Sequence, residues 1–207
     1  MKEFDATVKE TGDGFIVLDR TCFFPQSGGQ AGDRGMIDGT IVLNTLIAGE
    51  EVRHVVEGSH CMVPGQTVHG TIDWKRRYRI MRLHSASHLV YYAMQEIFGP
   101  SCRPASSGML DESKDRSDYL FDSALDRAKL AQVEDRVNRL IVKGLTITHG
   151  LETGTGDRLI WRVATFPPME CGGTHVRNTS EIGRVTLKRG SKPGRGRERI
   201  ELNLVEP

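Results

Sequence analysis

Between Asp73 and the pair Gly99-Pro100 lie twenty-five residues, 74–98, without one glycine or proline, in a chain that holds 23 glycines and 8 prolines. Such a stretch predicts a single long helix. Asp73 stands where an N-cap carboxylate would accept the first free N–H groups, and Gly99-Pro100 forms a stop. At 1.5 Å per residue it would run about 38 Å. A rod of that length divides the chain, and the segments on its two sides must each bury their own apolar surface.

Residues 1–72 read as short strands separated by turn residues. Phe4, Ala6 and Val8 alternate with polar residues, Thr11-Gly12-Asp13-Gly14 signals a turn, and Phe15-Ile16-Val17-Leu18 comes next as an apolar run. Further short runs at 36–37, 41–43, 52–56 and 67–72 suggest a small barrel or sandwich. Within them lies Phe23-Phe24-Pro25-Gln26-Ser27-Gly28-Gly29-Gln30-Ala31-Gly32-Asp33, a glycine-rich loop much longer than a tight hairpin needs. After the helix, residues 101–118 read as loop or a short hairpin. A second helix is expected from Asp122 or Ser123 to Lys143, with Leu130, Val133, Val137, Leu140 and Ile141 on one face. Strands return at 145–148, 159–164, 182–187 and 199–205. The expected organisation is a small β-barrel over 1–72, then an α+β domain over 73–207 in which long helices pack on an antiparallel sheet.

Composition narrows the class. With 28 basic and 27 acidic side chains, 38% hydrophobic and 27% charged residues, the chain is that of an ordinary globular protein rather than a disordered one. No apolar run approaches the roughly 18 to 20 residues that cross a bilayer, and the first ten residues lack the apolar core of a signal peptide. A soluble, cytoplasmic protein with no membrane association is expected. Cys22, Cys61, Cys102 and Cys171 lie far apart, unlike a secreted disulfide scaffold. Overall neutrality hides two basic clusters: Lys75, Arg76, Arg77, Arg79 and Arg82, and a second over 184–199 opposed there only by Glu198. Either can meet a polyanion, and either can equally be a solvated charged face.

The chemistry concentrates in two short motifs. His84-Ser85-Ala86-Ser87-His88 lies inside the first helix, where a spacing of four puts both imidazoles on one face. Cys171-Gly172-Gly173-Thr174-His175 is a Cys-x-x-x-His unit in a glycine-bearing loop. Each motif alone has an ordinary reading, as locally hydrogen-bonded histidines and as a turn with an incidental thiol. Together they offer three nitrogens and one sulfur, the donor set zinc prefers. A zinc peptidase would carry glutamate after the first histidine, where Ser85 stands, and a zinc deaminase would need His-x-Glu and Pro-Cys-x-x-Cys. Neither pattern is present.

On these residues the chain resembles the editing domain of alanyl-tRNA synthetase. It resembles more closely that domain's free-standing AlaX relatives of medium length, which carry an additional N-terminal β-domain. The likeness rests on His84-Ser85-Ala86-Ser87-His88-Leu89, on Cys171-Gly172-Gly173-Thr174-His175-Val176, on the glycine-rich stretch 23–30, and more loosely on Ile182-Gly183-Arg184 and the closing strand region. It departs where the glycine motif commonly has more glycine and this chain has Gln26-Ser27. It departs again at Pro104-Ala105-Ser106-Ser107-Gly108, which lacks a glutamine found in some synthetase editing domains.

The resemblance implies an aminoacyl-tRNA deacylase acting on tRNA(Ala) charged with serine or glycine. It implies Zn2+ as cofactor, held by His84, His88, Cys171 and His175. Thr174 and Ser107 become candidates near the reacting ester; Gln26, Gly28, Gly29, Gln30, Gly108, Arg76 and Arg79 become candidates for substrate contact. Such an ester needs orientation and charge stabilisation more than activation, and four protein ligands favour an indirect, positioning role for the metal. Two other readings share the motifs: editing of a different mischarged tRNA, and a non-catalytic zinc module that binds RNA. Gly28-Gly29-Gln30 also matches the Gly-Gly-Gln loop of release factors, a three-residue coincidence without a zinc counterpart.

Overall fold

A computed structural model describes residues 1–122, 124–152, 158–164, 166–194 and 196–205, with the side chains of Ser101, Ser106 and Ser107 outside the described set. The chain forms two compact units, Met1–Tyr78 and Arg79–Pro207. The change in sequence texture comes slightly earlier, at Asp73.

In the first unit six strands close into an antiparallel barrel: β1 (Glu3–Gly12), β2 (Phe15–Leu18), β3 (Gly35–Ile37), β4 (Thr40–Ala48), β5 (Glu51–Val56) and β6 (Thr67–Ile72), ordered β1-β2-β5-β4-β3-β6. Closure removes every free edge. Alternation decides which side chains enter: Ala6 and Val8 of β1 join Ile16, Leu18, Ile37, Val42, Val56, Val68 and Ile72 in the core. Where β1 meets β6, Phe4 lies opposite Gly70, and a Cβ at Gly70 would come within 2.6 Å of the Phe4 ring. Glycine is therefore a packing requirement there.

The barrel contains one fully buried imidazole. His54 Nδ1 donates to the Ile16 carbonyl at 3.0 Å, which leaves Nε2 to accept from the Thr21 hydroxyl at 2.8 Å. The Phe23 ring stands edge-on to it at 5.1 Å. Burial lowers the His54 pKa from 6.5 more than the carbonyl contact raises it, so the ring is neutral.

The glycine-rich loop is anchored firmly for a segment so poor in side chains. Asp33, 1% exposed, accepts the Phe24 N–H at 2.7 Å and Arg77 Nε at 2.8 Å, and forms a second, shorter contact with the same guanidinium. Arg77 also donates to the Cys22 carbonyl at 2.9 Å, and Arg76 to the Gly32 carbonyl at 2.8 Å. Backbone bonds from Gln26 N to Thr45 O at 2.8 Å and between Ser27 and Gln30 complete the loop. At Gly32 a Cβ would fall 2.2 Å from the Thr45 carbonyl, so only glycine lets the loop lie against β4.

Helix α1 spans Trp74–Phe98, the full glycine-free stretch, and Asp73 Oδ1 accepts the Arg76 N–H at 3.0 Å. After α1 comes a hairpin, β7 (Cys102–Ser107) with β8 (Asp115–Phe121). Then comes α2 (Arg127–Val142), whose N-cap is Asp126, accepting from Ala128 and Lys129. This helix starts later than the sequence suggests, because the carboxylate with free amides in reach is Asp126 rather than Asp122; Ser123 lies outside the described residues. The five apolar positions expected on one face, Leu130, Val133, Val137, Leu140 and Ile141, are all buried.

The remaining strands are β9 (Ile147–Glu152), β10 (Arg158–Val163), β11 (Met169–Glu170), β12 (Val185–Arg189) and β13 (Arg197–Leu204). They make two antiparallel sheets, β11-β10-β9 and β12-β13-β8-β7, instead of the single sheet expected. Ile182 belongs to a short 3-10 turn rather than a strand, since Asn178 and Glu181 form a capping box there. Helix α2 covers the edge of the larger sheet. Asn138 exchanges hydrogen bonds with Val185 N and O at 3.0 Å, and Glu134 accepts from Leu187 N at 2.7 Å. Part of the C-terminal basic cluster is matched internally: Arg189 grips Glu198, and Arg199 makes two bonds to Asp118 at 2.7 and 3.0 Å.

Two measurements test these features of the first unit. Asp33 and Arg77 are 1% and 11% exposed, so Arg77→Ala strands a buried carboxylate and is expected to cost about 3–5 kcal/mol in urea denaturation; a loss below about 1 kcal/mol would mark a surface-type pair. Because the folded pKa of His54 lies below the unfolded value, the unfolded chain takes up the proton first. Stability contributed by this residue is complete above about pH 6.5 and declines as pH falls through that value. NMR titration should place the His54 midpoint below 6.5, and a midpoint at or above it would refute the buried neutral ring.

Candidate metal centre

Helix α1 presents His84 and His88 one turn apart, their rings 5.0 Å between centroids. The loop after β11 supplies the other two donors. Cys171 is fixed to β10 by its N–H, which donates to the Leu159 carbonyl at 2.9 Å. His175, 8% exposed, places its ring 4.3 Å from that of His84 and 5.0 Å from that of His88. Cys171 Sγ lies 3.2 Å from His175 Nε2 and 3.5 Å from His84 Nε2. One donor atom from each of the four residues falls within 4.8 Å of all the others. The four side chains expected as ligands thus converge, and the group could hold a metal ion.

Three observations bear on whether a cation fits. His88 Nε2 is buried without a hydrogen-bond partner, a costly arrangement for a ring nitrogen unless something else engages its lone pair. Burial holds His84 down to about 4, with His149 adding to the effect, and His88 down to about 3, with His84 and His149 adding to it. His175 is lowered well below 6.5, again chiefly by burial. At neutral pH all three are the neutral imidazoles that metals require. Burial also pushes the Cys171 thiol up, so a thiolate at this place needs a positive charge beside it.

The surroundings orient the donors. Ser85 Oγ, fully buried, accepts the Val176 N–H at 3.1 Å and meets His175 Nδ1 at 3.3 Å. If Nε2 is the ligand atom, the ring proton sits on Nδ1, where Ser85 is in position to accept it. On the other side stands the sheet β11-β10-β9. Trp161 is fully buried, its ring 4.7 Å from His88, and its indole N–H has no hydrogen-bond partner. His149, directly across from Trp161 on β9, makes a 2.8 Å hydrogen bond from Nε2 to the Cys171 carbonyl and sets its ring edge against His175. A carbonyl only accepts, so that nitrogen carries the proton. Motif spacing does not reveal His149, Trp161 or Ser85 as members of this group, since strand pairing and helix rotation bring them in.

The glycines of the loop are not there to permit a left-handed turn. Gly172 has no positive φ, and a Cβ on it would meet nothing within 4 Å. The space beside it is therefore open. Thr174 is half-buried between the two loop donors. The side chain of Ser107 lies outside the described residues; its backbone pairs with Ser117 of β8. Gly108 donates its N–H to the Arg116 carbonyl, where a Cβ would come within 2.2 Å, so packing alone explains that glycine.

The other candidates lie on or beside the barrel loop, apart from Arg79. Gly28 and Gly29 are exposed with φ of +56° and +85°, Gln26 is exposed, and Gln30 is 1% exposed. A glutamine tucked inward is unlike one presented at a catalytic tip, which separates this loop from the Gly-Gly-Gln coincidence. Arg76 is buried on the Gly32 carbonyl, and Arg79 donates to the Glu112 carbonyl.

A chain so arranged is expected to carry one divalent ion per molecule by elemental analysis. Cys171→Ala and His88→Ala should each abolish that stoichiometry. Ser85→Ala should weaken affinity roughly 10- to 100-fold in chelator competition, as loss of a supporting partner does at metal sites. Full retention in His88→Ala would disprove the proposed ligand set.

Among known protein families, residues 1–76 match the model described as tRNA synthetases class II (A), and residues 170–201 match the Threonyl and Alanyl tRNA synthetase second additional domain. Alanyl-tRNA editing protein AlaX-M of Pyrococcus horikoshii is 35% identical over 99% of this chain and 93% of its own length. The AlaX-M protein of Methanosarcina barkeri is 34% identical over 100% and 96%. Alanine–tRNA ligase of Ignicoccus hospitalis is 30% identical over 98% of this chain but only 24% of the ligase.

Proposed function

Because this chain belongs to the AlaX-M alanyl-tRNA editing proteins, we propose that it is a zinc-dependent aminoacyl-tRNA deacylase that clears serine, and more weakly glycine, from tRNA(Ala). The observation that carries this reading is the convergence of His84, His88, Cys171 and His175 within 4.8 Å. Three imidazoles and a thiol are the borderline-soft donors suited to zinc, and a hard cation such as magnesium would want oxygens instead. A bound zinc ion would supply a fixed positive charge beside the ester and favour the thiolate of Cys171.

The rest of the work falls to the chain. Trp161 and the neighbouring rings exclude water from the buried side of the cluster, which strengthens electrostatic interactions there. The open space beside Gly172 is compatible with approach of the terminal ribose and its ester to the loop. Thr174, between two donors in the sequence, is the candidate for orienting the aminoacyl group or the attacking water, and Ser107 and Gly108, on the β7–β8 hairpin, are further candidates near the ester. On the barrel loop, Gln26, Gly28 and Gly29 are exposed and are the candidates there for contact with RNA. Arg76 serves by holding that loop in shape, and Arg79 by its contact with the 110s segment. No helix among the described residues is long and apolar enough to cross a membrane, and a tRNA substrate suits a cytoplasmic protein.

The deciding assay measures release of labelled amino acid from Ser-tRNA(Ala), Gly-tRNA(Ala) and Ala-tRNA(Ala). Serine should be released and alanine spared by at least a factor on the order of 100, since a site built around a hydroxyl rejects its absence strongly. Removing the metal, or His88→Ala, should abolish release. Equal hydrolysis of both esters would defeat the editing assignment. Retention of tRNA without any release would favour a binding module.

A further inference from the structure

The two loop donors, Cys171 and His175, are secured in different ways. Around His175 the backbone does the fastening: Val176 donates its N–H to Ser85 Oγ, and Ile147 of β9 donates its own to the Arg177 carbonyl at 2.8 Å. At the other end the Cys171 N–H is taken by the Leu159 carbonyl of β10. The Cys171 carbonyl, however, is met by a side chain, the Nε2–H of His149 at 2.8 Å. His149 is exposed, on the strand at the edge of the sheet β11-β10-β9. Water could satisfy both of its ring nitrogens there, yet one N–H is committed to the backbone of a proposed ligand.

That bond bears on the sulfur through the next peptide. Gly173 donates its N–H to Cys171 Sγ, which works against the rise that burial imposes on the thiol. An amide two residues along reaches the sulfur only if the planar 171–172 peptide is correctly turned, because its rotation carries Gly172 and Gly173 with it. Gly172, with open space where a Cβ would stand, brings no side chain to hold that plane. We propose that His149 is a positioning residue of the metal centre: its Nε2–H locks the Cys171–Gly172 peptide, and through it holds the sulfur where a cation shared with His84, His88 and His175 would meet it. The two helical histidines do not depend on this bond, since α1 fixes them. Losing it therefore weakens the sulfur arm of the centre selectively. The inference rests on the zinc-dependent reading above and adds to it a fifth histidine that supports the metal without ligating it.

The His149 ring also stands edge-on to that of His175 at 5.0 Å, a packing contact, and two substitutions separate packing from hydrogen bonding. His149→Phe keeps an aromatic ring and removes the donor, whereas His149→Gln removes the ring and keeps an N–H donor. The full chain is loaded with zinc for chelator competition, and with Co2+ for absorption spectra, in which a near-ultraviolet charge-transfer band reports a bound thiolate. His149→Phe should bind zinc roughly 10- to 100-fold more weakly, the usual loss when a supporting partner of a metal ligand is removed. It should also lose most of the thiolate band while the visible bands of bound cobalt persist. In the zinc-loaded variant, iodoacetamide should alkylate Cys171 several-fold faster than in the unaltered protein, read at that peptide by mass spectrometry. His149→Gln should keep the thiolate band and the original affinity to within about threefold, short of the loss that marks a missing partner. His149→Ala, a truncation at an exposed edge-strand position, should match His149→Phe and decides the matter if the phenylalanine variant fails to fold. A Phe or Ala variant that keeps both affinity and thiolate band overturns the proposal, and so does a Gln variant as weak as the Phe variant. If the unaltered chain binds neither ion, the metal centre and the zinc-dependent deacylase reading fall together. If it binds both, releases serine from Ser-tRNA(Ala) and is matched by all three variants, only the role of His149 falls.

Discussion

One buried hydroxyl ties the two halves of the cluster together. Ser85 Oγ, on the helix that carries His84 and His88, accepts the N–H of Val176, 91 residues further along and directly after His175. The same oxygen lies against His175 Nδ1. A larger residue at 85 would push the loop from the helix, and an alanine would orphan a buried amide. The approach of helix to loop, hence the 4.8 Å spread of the four donors, depends on a side chain small enough to permit contact and polar enough to bond.

Around that link the physics of burial favours metal over protons. Three imidazoles packed ring to ring and against Trp161 are all pushed toward the neutral state, chiefly by loss of water and further by neighbouring imidazoles. A thiol in the same place is pushed toward protonation. A divalent ion would reverse the balance, since it would engage the neutral nitrogens and stabilise the thiolate. The barrel shows the contrasting solution for a buried histidine: His54 has both nitrogens occupied by protein partners and needs no ion. His88, whose Nε2 finds no partner, is chemically incomplete in a way that His54 is not.

Charge is handled locally in both units. The glycine loop, which has few side chains to pack, is held by one buried ion pair and by bonds to its carbonyls. The C-terminal strand region carries many cations, yet Glu198 and Asp118 absorb several of them. A cluster of like charges in the sequence therefore overstates what is left to meet an RNA.

Much of this was legible in the sequence. Absence of glycine and proline marked α1 to its last residue, and the period of the apolar positions marked the buried face of α2, because both signals are local. The four donors were legible as two motifs, each a fixed interval of backbone geometry. Other features depended on rotation and pairing. Strand register put His149 and Trp161 side by side, helix rotation aimed Ser85 at His175 and Ser87 at Asp115, and strand order made two sheets where one was expected. The sequence by itself determined which side chains could form the centre and which segments would be helix, barrel or loop. Only the tertiary structure decided which polar groups were left buried with a partner or without one, because that depends on atoms tens of residues apart arriving within about 3 to 5 Å.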